Sequence, residues 1–170
     1  MPEGPEARRQ ADRVGAAVTG HIATKVRFGL SRLEPEAPEL EGRRVENVES
    51  RGKALLIHFE GERTVYTHSQ LYGRWRVVKP GALPKTNRQL RFAVETDKKW
   101  ALLYSASDIE VLPSAELDRH PFLASLGPDA LDDTVTREDI LARLEDARFR
   151  RRQIGHLLLE QGFVAGLGNY

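Results

Sequence analysis

The stretch from Ile22 to Leu112 constrains the fold most, because apolar and polar residues alternate there in short runs. A period of two is typical of a strand that buries one face. Glycines and polar turns separate the runs, and the segments Glu60-Gly61-Glu62 and Thr96-Asp97-Lys98-Lys99 predict two hairpins. Many short strands at this spacing predict an antiparallel sandwich or barrel.

A helical pattern precedes this stretch. Apolar residues recur at the spacing of one helix face from about Glu6 to Thr19, and Gly20 is predicted to end that helix. The apolar positions are Ala7, Ala11, Val14, Ala17 and Val18.

Helical patterns return after Pro113. Ser114 is predicted to cap a short helix that ends near His120, and Gly127-Pro128-Asp129 predicts a linker. Thr136 and Asp139 have the spacing of a capping box at the start of a further helix. A final helix is predicted to carry Ile154, Leu157, Leu158 and Leu159.

Composition limits the class of protein. The chain has 170 residues, the size of one domain, and its lack of cysteine excludes a disulfide framework or a thiolate metal site within these residues. No apolar run approaches the roughly 20 residues of a membrane helix, and the first residues do not resemble a signal peptide. The net charge of only +1 gives no indication of a nucleic-acid partner, so any such indication must come from local clusters.

The first residues offer a candidate nucleophile. Removal of Met1 is expected because Pro2 is small, and it would expose a secondary amine with a pKa of roughly 7.7–8.0. A neutral amine can attack an aldehyde-like carbon, and Glu3 beside it could act as a general acid or base. Taken alone, the two residues are better explained as the start of a helix.

Two loops offer further candidates. Lys53, in the turn Arg51-Gly52-Lys53, could reach a phosphate or a reacting sugar, although, taken alone, the turn is better explained as an ordinary hairpin with solvated charges. Leu71 and Tyr72, flanked by Gln70 and Gly73, are suited to fill the gap that a flipped base leaves in duplex DNA. They could instead be core residues.

Two segments near the end of the chain could contact phosphate. The segment from Arg148 to Arg152 has four arginines around Phe149 and fits a phosphate-facing surface, or a solvated helix face paired with Glu145 and Asp146. Gly166-Leu167-Gly168-Asn169 could offer backbone N–H groups and an amide to phosphate. The histidines show no metal-ligand spacing.

The combination and order of three segments resemble the formamidopyrimidine-DNA glycosylase/endonuclease VIII family. These segments are Met1 to Glu6, Arg51 to Leu56, and Gln161 to Tyr170, so the resemblance runs along the whole chain. Within the family, residues 68–75 and 103–110 resemble the endonuclease VIII branch.

The resemblance implies an α+β fold. An N-terminal helix on a two-layered antiparallel β-sandwich would form a catalytic domain over residues 1–125, and residues 126–170 would begin a helix–two-turn–helix module. In the family a zinc ribbon follows, so one zinc ion is expected there and no cofactor in this chain.

The resemblance also implies a function: a bifunctional DNA glycosylase and abasic-site lyase of base excision repair that removes oxidised pyrimidines and cuts the strand by β,δ-elimination. Pro2 would form the Schiff base with C1′ of the damaged nucleotide, Glu3 would move protons, and Lys53 would contact phosphate and assist elimination. The residues implied to bind DNA are Gln70, Leu71, Tyr72 and Asn169. The implied partner is double-stranded DNA with oxidised bases or abasic sites, bound by a monomer in the bacterial cytoplasm.

Two departures from the family pattern qualify these roles. Ser125 stands where the endonuclease VIII branch tends to carry a DNA-contacting arginine, which puts one contact in doubt. The chain also ends at Tyr170, which leads us to expect a catalytically weak DNA-binding fragment as the alternative function and uncovered apolar surface on Leu157, Leu158 and Phe163. A tautomerase with an N-terminal proline is set aside, because such chains are much smaller and lack the other two segments.

Overall fold

The computed structural model describes residues 2–170, so the expected removal of Met1 lies outside the described residues. Its strands form two four-stranded sheets, with strand orders β1-β6-β7-β5 and β2-β3-β4-β8, and every neighbouring pair is antiparallel. The strands are β1 (Lys25–Phe28), β2 (Val45–Arg51), β3 (Ala54–Phe59), β4 (Arg63–His68), β5 (Arg74–Val78), β6 (Leu90–Glu95), β7 (Trp100–Tyr104) and β8 (Asp108–Pro113). The predicted α+β class, with a helix and two antiparallel layers, is confirmed.

The main core contains residues from both sheets. Side chains from β1, β3, β6 and β7 meet in it, and Phe28 stacks on Phe92 with ring centroids 4.9 Å apart. Full burial of a side chain of this kind stabilises a fold by roughly 1.5–3 kcal/mol, so the side chains that the two sheets bury against each other hold the layers together.

Helix α1 (Gly4–Val18) packs against β2 and β3 through the alanine-rich face that the sequence predicted. It begins two residues before the predicted start. Glu3 is its N-cap residue, and the backbone N–H of Glu3 donates to Glu6 Oε2 at 3.1 Å. Pro5 fits the first turn, where no hydrogen bond from its nitrogen is needed.

The predicted hairpins are confirmed: residues 60–62 join β3 to β4, and residues 96–99 join β6 to β7. The segment between β1 and β2 holds a 3-10 helix (Ser31–Glu36) and helix α2 (Ala37–Leu40), which the alternating pattern did not predict.

The helices after the sandwich differ in detail from the predictions. Ser114 is the first residue of a 3-10 helix (Ser114–Arg119) and not its cap, which is Pro113; the Ser114 hydroxyl lies 2.8 Å from Thr64 Oγ1 on β4. His120 instead caps α3 (Pro121–Ser125), where its Nδ1 accepts from the backbone N–H of Leu123 at 3.5 Å.

The capping box of Thr136 and Asp139 is confirmed at the start of α4 (Arg137–Glu145). Helix α5 covers only Ile154–Leu157, so the prediction that Leu158 and Leu159 lie on it was wrong. Leu158 is the C-cap residue of α5, and its backbone N–H donates a hydrogen bond to the carbonyl of Ile154 at 2.9 Å.

The expected uncovered apolar surface is present at one of its three positions. Leu157 and Phe163 are buried, because they pack with Phe149 and Val164 in a small separate core, whereas Leu158 is exposed. Among residues 2–170, no helix combines the length and the apolar character needed to cross a bilayer.

Candidate active site

Residues from opposite ends of the sequence meet at one point. The backbone N–H of Gly4 donates to the carbonyl of Gly166 at 2.7 Å, and that of Tyr170 donates to Glu3 Oε1 at 2.8 Å. A Cβ added to Gly168 would overlap the Glu3 carboxylate, so a side chain there would displace Glu3 from its present position. The opening motif and the glycine-rich segment therefore form a single site.

Lys53 approaches this site from the turn between β2 and β3. Gly52 has a φ of +58°, which allows the tight turn, and its N–H donates to Asp129 Oδ2 at 2.7 Å. Burial lowers the pKa of the half-buried Lys53 amine, and attraction to the Glu3 carboxylate opposes that shift. Lys53 is thus within electrostatic reach of Glu3 and has a larger neutral fraction than an exposed lysine.

His68 ends strand β4 beside the same turn. It pairs with Ala54, the residue that follows Lys53, and with Asp108 on β8. Burial lowers the pKa of His68, Asp108 partly offsets this, and the positive charge of Lys53 lowers it further. In the sequence, His68 belongs only to the family-like segment of residues 68–75, and no local pattern there predicts a role for this neighbour of Lys53.

The loop that follows His68 projects outward. Leu71 and Tyr72 are 63% and 69% exposed, which excludes the interpretation that they are core residues. The base of the loop is held by Gly73, whose N–H donates to the carbonyl of Ser69 at 2.7 Å. Two apolar side chains are therefore presented to solvent on a well-anchored turn, which we call the wedge loop (residues 69–73).

Three hydrogen bonds orient the wedge loop. His68 Nδ1 accepts from the backbone N–H of Gln70 at 3.1 Å, and Ser107 Oγ donates to Gln70 Oε1 at 3.2 Å. Arg88 Nη1 donates to the carbonyl of Tyr72 at 2.8 Å. Gln70 itself has a φ of +48°, an uncommon conformation for a residue with a side chain.

Gln161 shapes the segment that carries Asn169. Its amide nitrogen donates to the carbonyl of Leu167 at 2.7 Å, and its amide oxygen accepts from the N–H of Gly166 at 3.1 Å. Asn169 is exposed and precedes Tyr170, whose N–H binds Glu3. Its amide is therefore available for contact beside the Glu3 carboxylate.

The structure also bears on the arginine-rich segment from Arg148 to Arg152 as a surface for phosphate. Arg148 donates a hydrogen bond to Asp146 at 2.8 Å, and this bond lowers the pKa of Asp146 to about 2. Arg152 forms an ion pair with Glu160, and Phe149 is buried. For these two arginines the alternative of a solvated, ion-paired surface is the better description.

Ser125 Oγ donates a hydrogen bond to the carbonyl of Phe122 at 2.7 Å, so this position presents no cation to a ligand.

Comparisons with known proteins agree on one family. The model of the formamidopyrimidine-DNA glycosylase N-terminal domain matches residues 1–107. Endonuclease 8 of Klebsiella pneumoniae is 53% identical over 170 residues, and Endonuclease 8 of Salmonella arizonae is 52% identical over the same length. These matches cover 100% of this chain, and the chain spans 65% of the length of each relative.

Solved structures of Lactococcus lactis Fpg (MutM) have the same fold. A complex with DNA containing N7-benzyl-Fapy-dG matches with a TM-score of 0.81, covering 99% of this chain and 64% of that one. A complex with DNA containing an oxidised pyrimidine matches with a TM-score of 0.82, covering 99% of this chain and 64% of that one. Sequence identity is 20% in both cases, so these two matches bear on the fold alone.

Proposed function

The chain belongs to the formamidopyrimidine-DNA glycosylase family, and from this premise we propose that its site excises oxidised pyrimidines from double-stranded DNA and then cuts the strand. The similarity to Endonuclease 8 supports the choice of pyrimidine lesions. The observation that carries the proposal is the junction of Glu3 with the Gly168–Tyr170 segment, with Lys53 in electrostatic reach. A nucleophile at position 2, an acid and an amine would then surround one reacting sugar.

Base excision would begin with the nitrogen of Pro2. Once Met1 is removed, the lone pair of the Pro2 nitrogen would attack C1′ of the damaged nucleotide. The bond between C1′ and the base would break, and its electron pair would leave with the base. The amine proton lost by Pro2 would balance the proton that the base takes up. Glu3 would protonate O4′ of the sugar, so that the ring opens and an iminium ion joins Pro2 to C1′.

Strand cleavage would follow from the iminium ion. Its positive charge makes the C2′ proton acidic, and loss of that proton would expel the phosphate from C3′ by β-elimination. A second proton loss, from C4′, would expel the phosphate from C5′ by δ-elimination, and water would then free Pro2. Lys53 would assist, because its lowered pKa enlarges the fraction of neutral amine that can accept a proton, while its protonated form would stabilise a departing phosphate.

DNA would be held by groups around this centre. Leu71 and Tyr72 would fill the gap left by the extruded nucleotide, Gln70 would contact the exposed base edge, and Asn169 would hold a flanking phosphate. The working form would be a monomer on chromosomal DNA in the bacterial cytoplasm.

The zinc ion that the family resemblance implies has no fitting donor set in this chain. The sequence contains no cysteine, and residues 2–170 include no group of three or more His, Asp or Glu side chains placed to hold a metal ion. The proposed steps therefore use only the chain's own side chains and its N-terminal amine.

Borohydride trapping on an abasic-site duplex tests the proposal. Protein without Met1 is expected to give a covalent adduct, seen as an increase in intact mass and mapped to Pro2. The matched control is the same protein with Met1 retained, which should give none, because its proline nitrogen lies in a peptide bond. An adduct on Lys53 would contradict the assignment of the nucleophile, and DNA binding without any adduct would favour the DNA-binding fragment.

A further inference from the structure

Asp129 uses both carboxylate oxygens to join two different segments. Oδ2 accepts from the backbone N–H of Gly52 at 2.7 Å, and Oδ1 accepts from that of Leu131 at 2.9 Å. Gly52 immediately precedes Lys53, so the first of these bonds fixes the turn that carries the Lys53 amine. Hydrogen bonds to an ionised carboxylate are shorter and stronger than those between neutral groups.

The backbone around Asp129 is also tied to the glycine-rich segment. Asp129 and Ala165 form a parallel bridge, in which the N–H of Ala165 donates to the carbonyl of Pro128 at 2.8 Å. The next residue, Gly166, lies so near that a Cβ added to it would be 3.4 Å from Asp129 Oδ1. Because the carbonyl of Gly166 accepts from Gly4, Asp129 links the Lys53 turn to the end of the chain that carries Glu3.

We infer that Asp129 is a positioning residue, which holds the Lys53 turn in register with Pro2 and Glu3 while touching no substrate itself. The inference rests on the function proposed above. Its physical basis is that a displacement of about 1 Å in a reacting group can cost about 100-fold in rate. Loss of the Asp129 side chain would leave the N–H of Gly52 without this acceptor.

Asp132 offers a matched control in the same loop. Its Oδ1 accepts from the backbone N–H of Thr134 at 2.9 Å and from Thr134 Oγ1 at 2.7 Å. Asp132→Ala therefore removes the same chemical group and a similar number of hydrogen bonds as Asp129→Ala. It leaves the Lys53 turn untouched.

The experiment measures single-turnover cleavage of an abasic-site duplex with the protein in saturating excess. Asp129→Ala is expected to slow cleavage by about 10- to 100-fold, with affinity for the duplex close to that of the unsubstituted protein. Asp132→Ala should cleave at the unsubstituted rate. Asp129→Asn should be intermediate, because its amide oxygen can accept only one of the two backbone N–H groups at full strength.

Hydrogen exchange of the Gly52 amide gives a readout that does not depend on cleavage. Exchange should accelerate in Asp129→Ala and stay unchanged in Asp132→Ala. Equal cleavage rates in these two variants would overturn the positioning role and leave the proposed function standing. If the unsubstituted protein cleaves nothing, the proposed function fails and this inference with it. Should Asp129→Ala fail to fold, full activity in Asp129→Asn would overturn the inference.

Discussion

The Lys53 turn and the wedge loop lie at the same end of one sheet, yet they are built in opposite ways. The turn is half-buried, and Gly52 at its centre is bonded to Asp129 and packed against Leu126. The wedge loop is held by hydrogen bonds to Gln70, to the carbonyl of Tyr72 and at its base, while the side chains of Leu71 and Tyr72 project into solvent. A group that reacts must be held in place, whereas a group that inserts into a partner must stand clear of the fold.

The largest effect on cleavage is expected at Gly52, where one added methyl group would disturb the held conformation of the Lys53 turn. A Cβ there would lie 3.3 Å from Leu126 Cδ1 and Cδ2 and 3.6 Å from Ala165 Cβ, on a backbone with a φ of +58°. Gly52→Ala should slow strand cleavage by about 10- to 100-fold, because the turn must shift. Single-turnover cleavage of an abasic-site duplex measures this.

Gly81 is the control for that substitution. Its φ is +78° and nothing lies within 4 Å of an added Cβ. Gly81→Ala should lose roughly 1–2 kcal/mol of stability from the left-handed backbone alone and cleave normally. If both variants cleave equally well, the packing around the Lys53 turn does not position the amine.

A smaller effect is expected at the wedge loop, with the opposite signature. Leu71→Ala should leave the free energy of unfolding within about 0.5 kcal/mol, because the side chain is mostly exposed. It should slow excision from duplex DNA by about 10-fold, since the gap left by the flipped base is then filled less well. Excision from a single strand, where no gap forms, should be unaffected.

Leu83 provides the comparison variant, because it is also exposed but lies on another loop. Leu83→Ala should match the unsubstituted protein on both substrates. Equal slowing of Leu71→Ala on duplex and single-stranded DNA would mean that the wedge loop serves some purpose other than filling the gap.

The smallest effect is expected on the pH dependence of stability and comes from His68, which binds Gln70 of the wedge loop and pairs with Ala54, the residue that follows the Lys53 turn. Its Nδ1 accepts from Gln70, and its pKa is lowered chiefly by burial. Unfolded chains bind a proton at this histidine below about pH 6.5, while the folded protein binds it only at lower pH. Protonation thus favours the unfolded state, and the stability of the folded state should fall as pH drops below 6.5.

His68→Asn removes this titration while keeping an acceptor for Gln70. Thermal unfolding from pH 7 to pH 5 should show a shallower loss for the variant than for the unsubstituted protein, with measurements at pH 8 as the baseline. Parallel curves for the two proteins would contradict the link between burial of His68 and its pKa.

Sequence reasoning succeeded where the signal is local. The helix of α1, the two hairpins and the capping box of Thr136 each depend on residues within a few positions of one another. It failed at Ser114, where Pro113 is the cap and the hydroxyl contacts Thr64 from 50 positions earlier, and at Leu158, where α5 has already ended. A contact between such distant positions has no signature in the local sequence. The roles of Pro2, Glu3, Lys53, Gln70, Leu71, Tyr72 and Asn169 remain predictions from the resemblance.

The amino-acid sequence by itself determined the strands, the turns and the family, because periodicity, turn chemistry and motif residues are all written within short segments. Only the tertiary structure decided which acid supports the site. Asp129 and Asp132 are both polar loop residues in the sequence, but Asp129 accepts a hydrogen bond from the backbone N–H of Gly52, 77 positions earlier. A hydrogen bond between such distant segments leaves no local pattern, since it exists only after the core has brought the sheet and the C-terminal segment together.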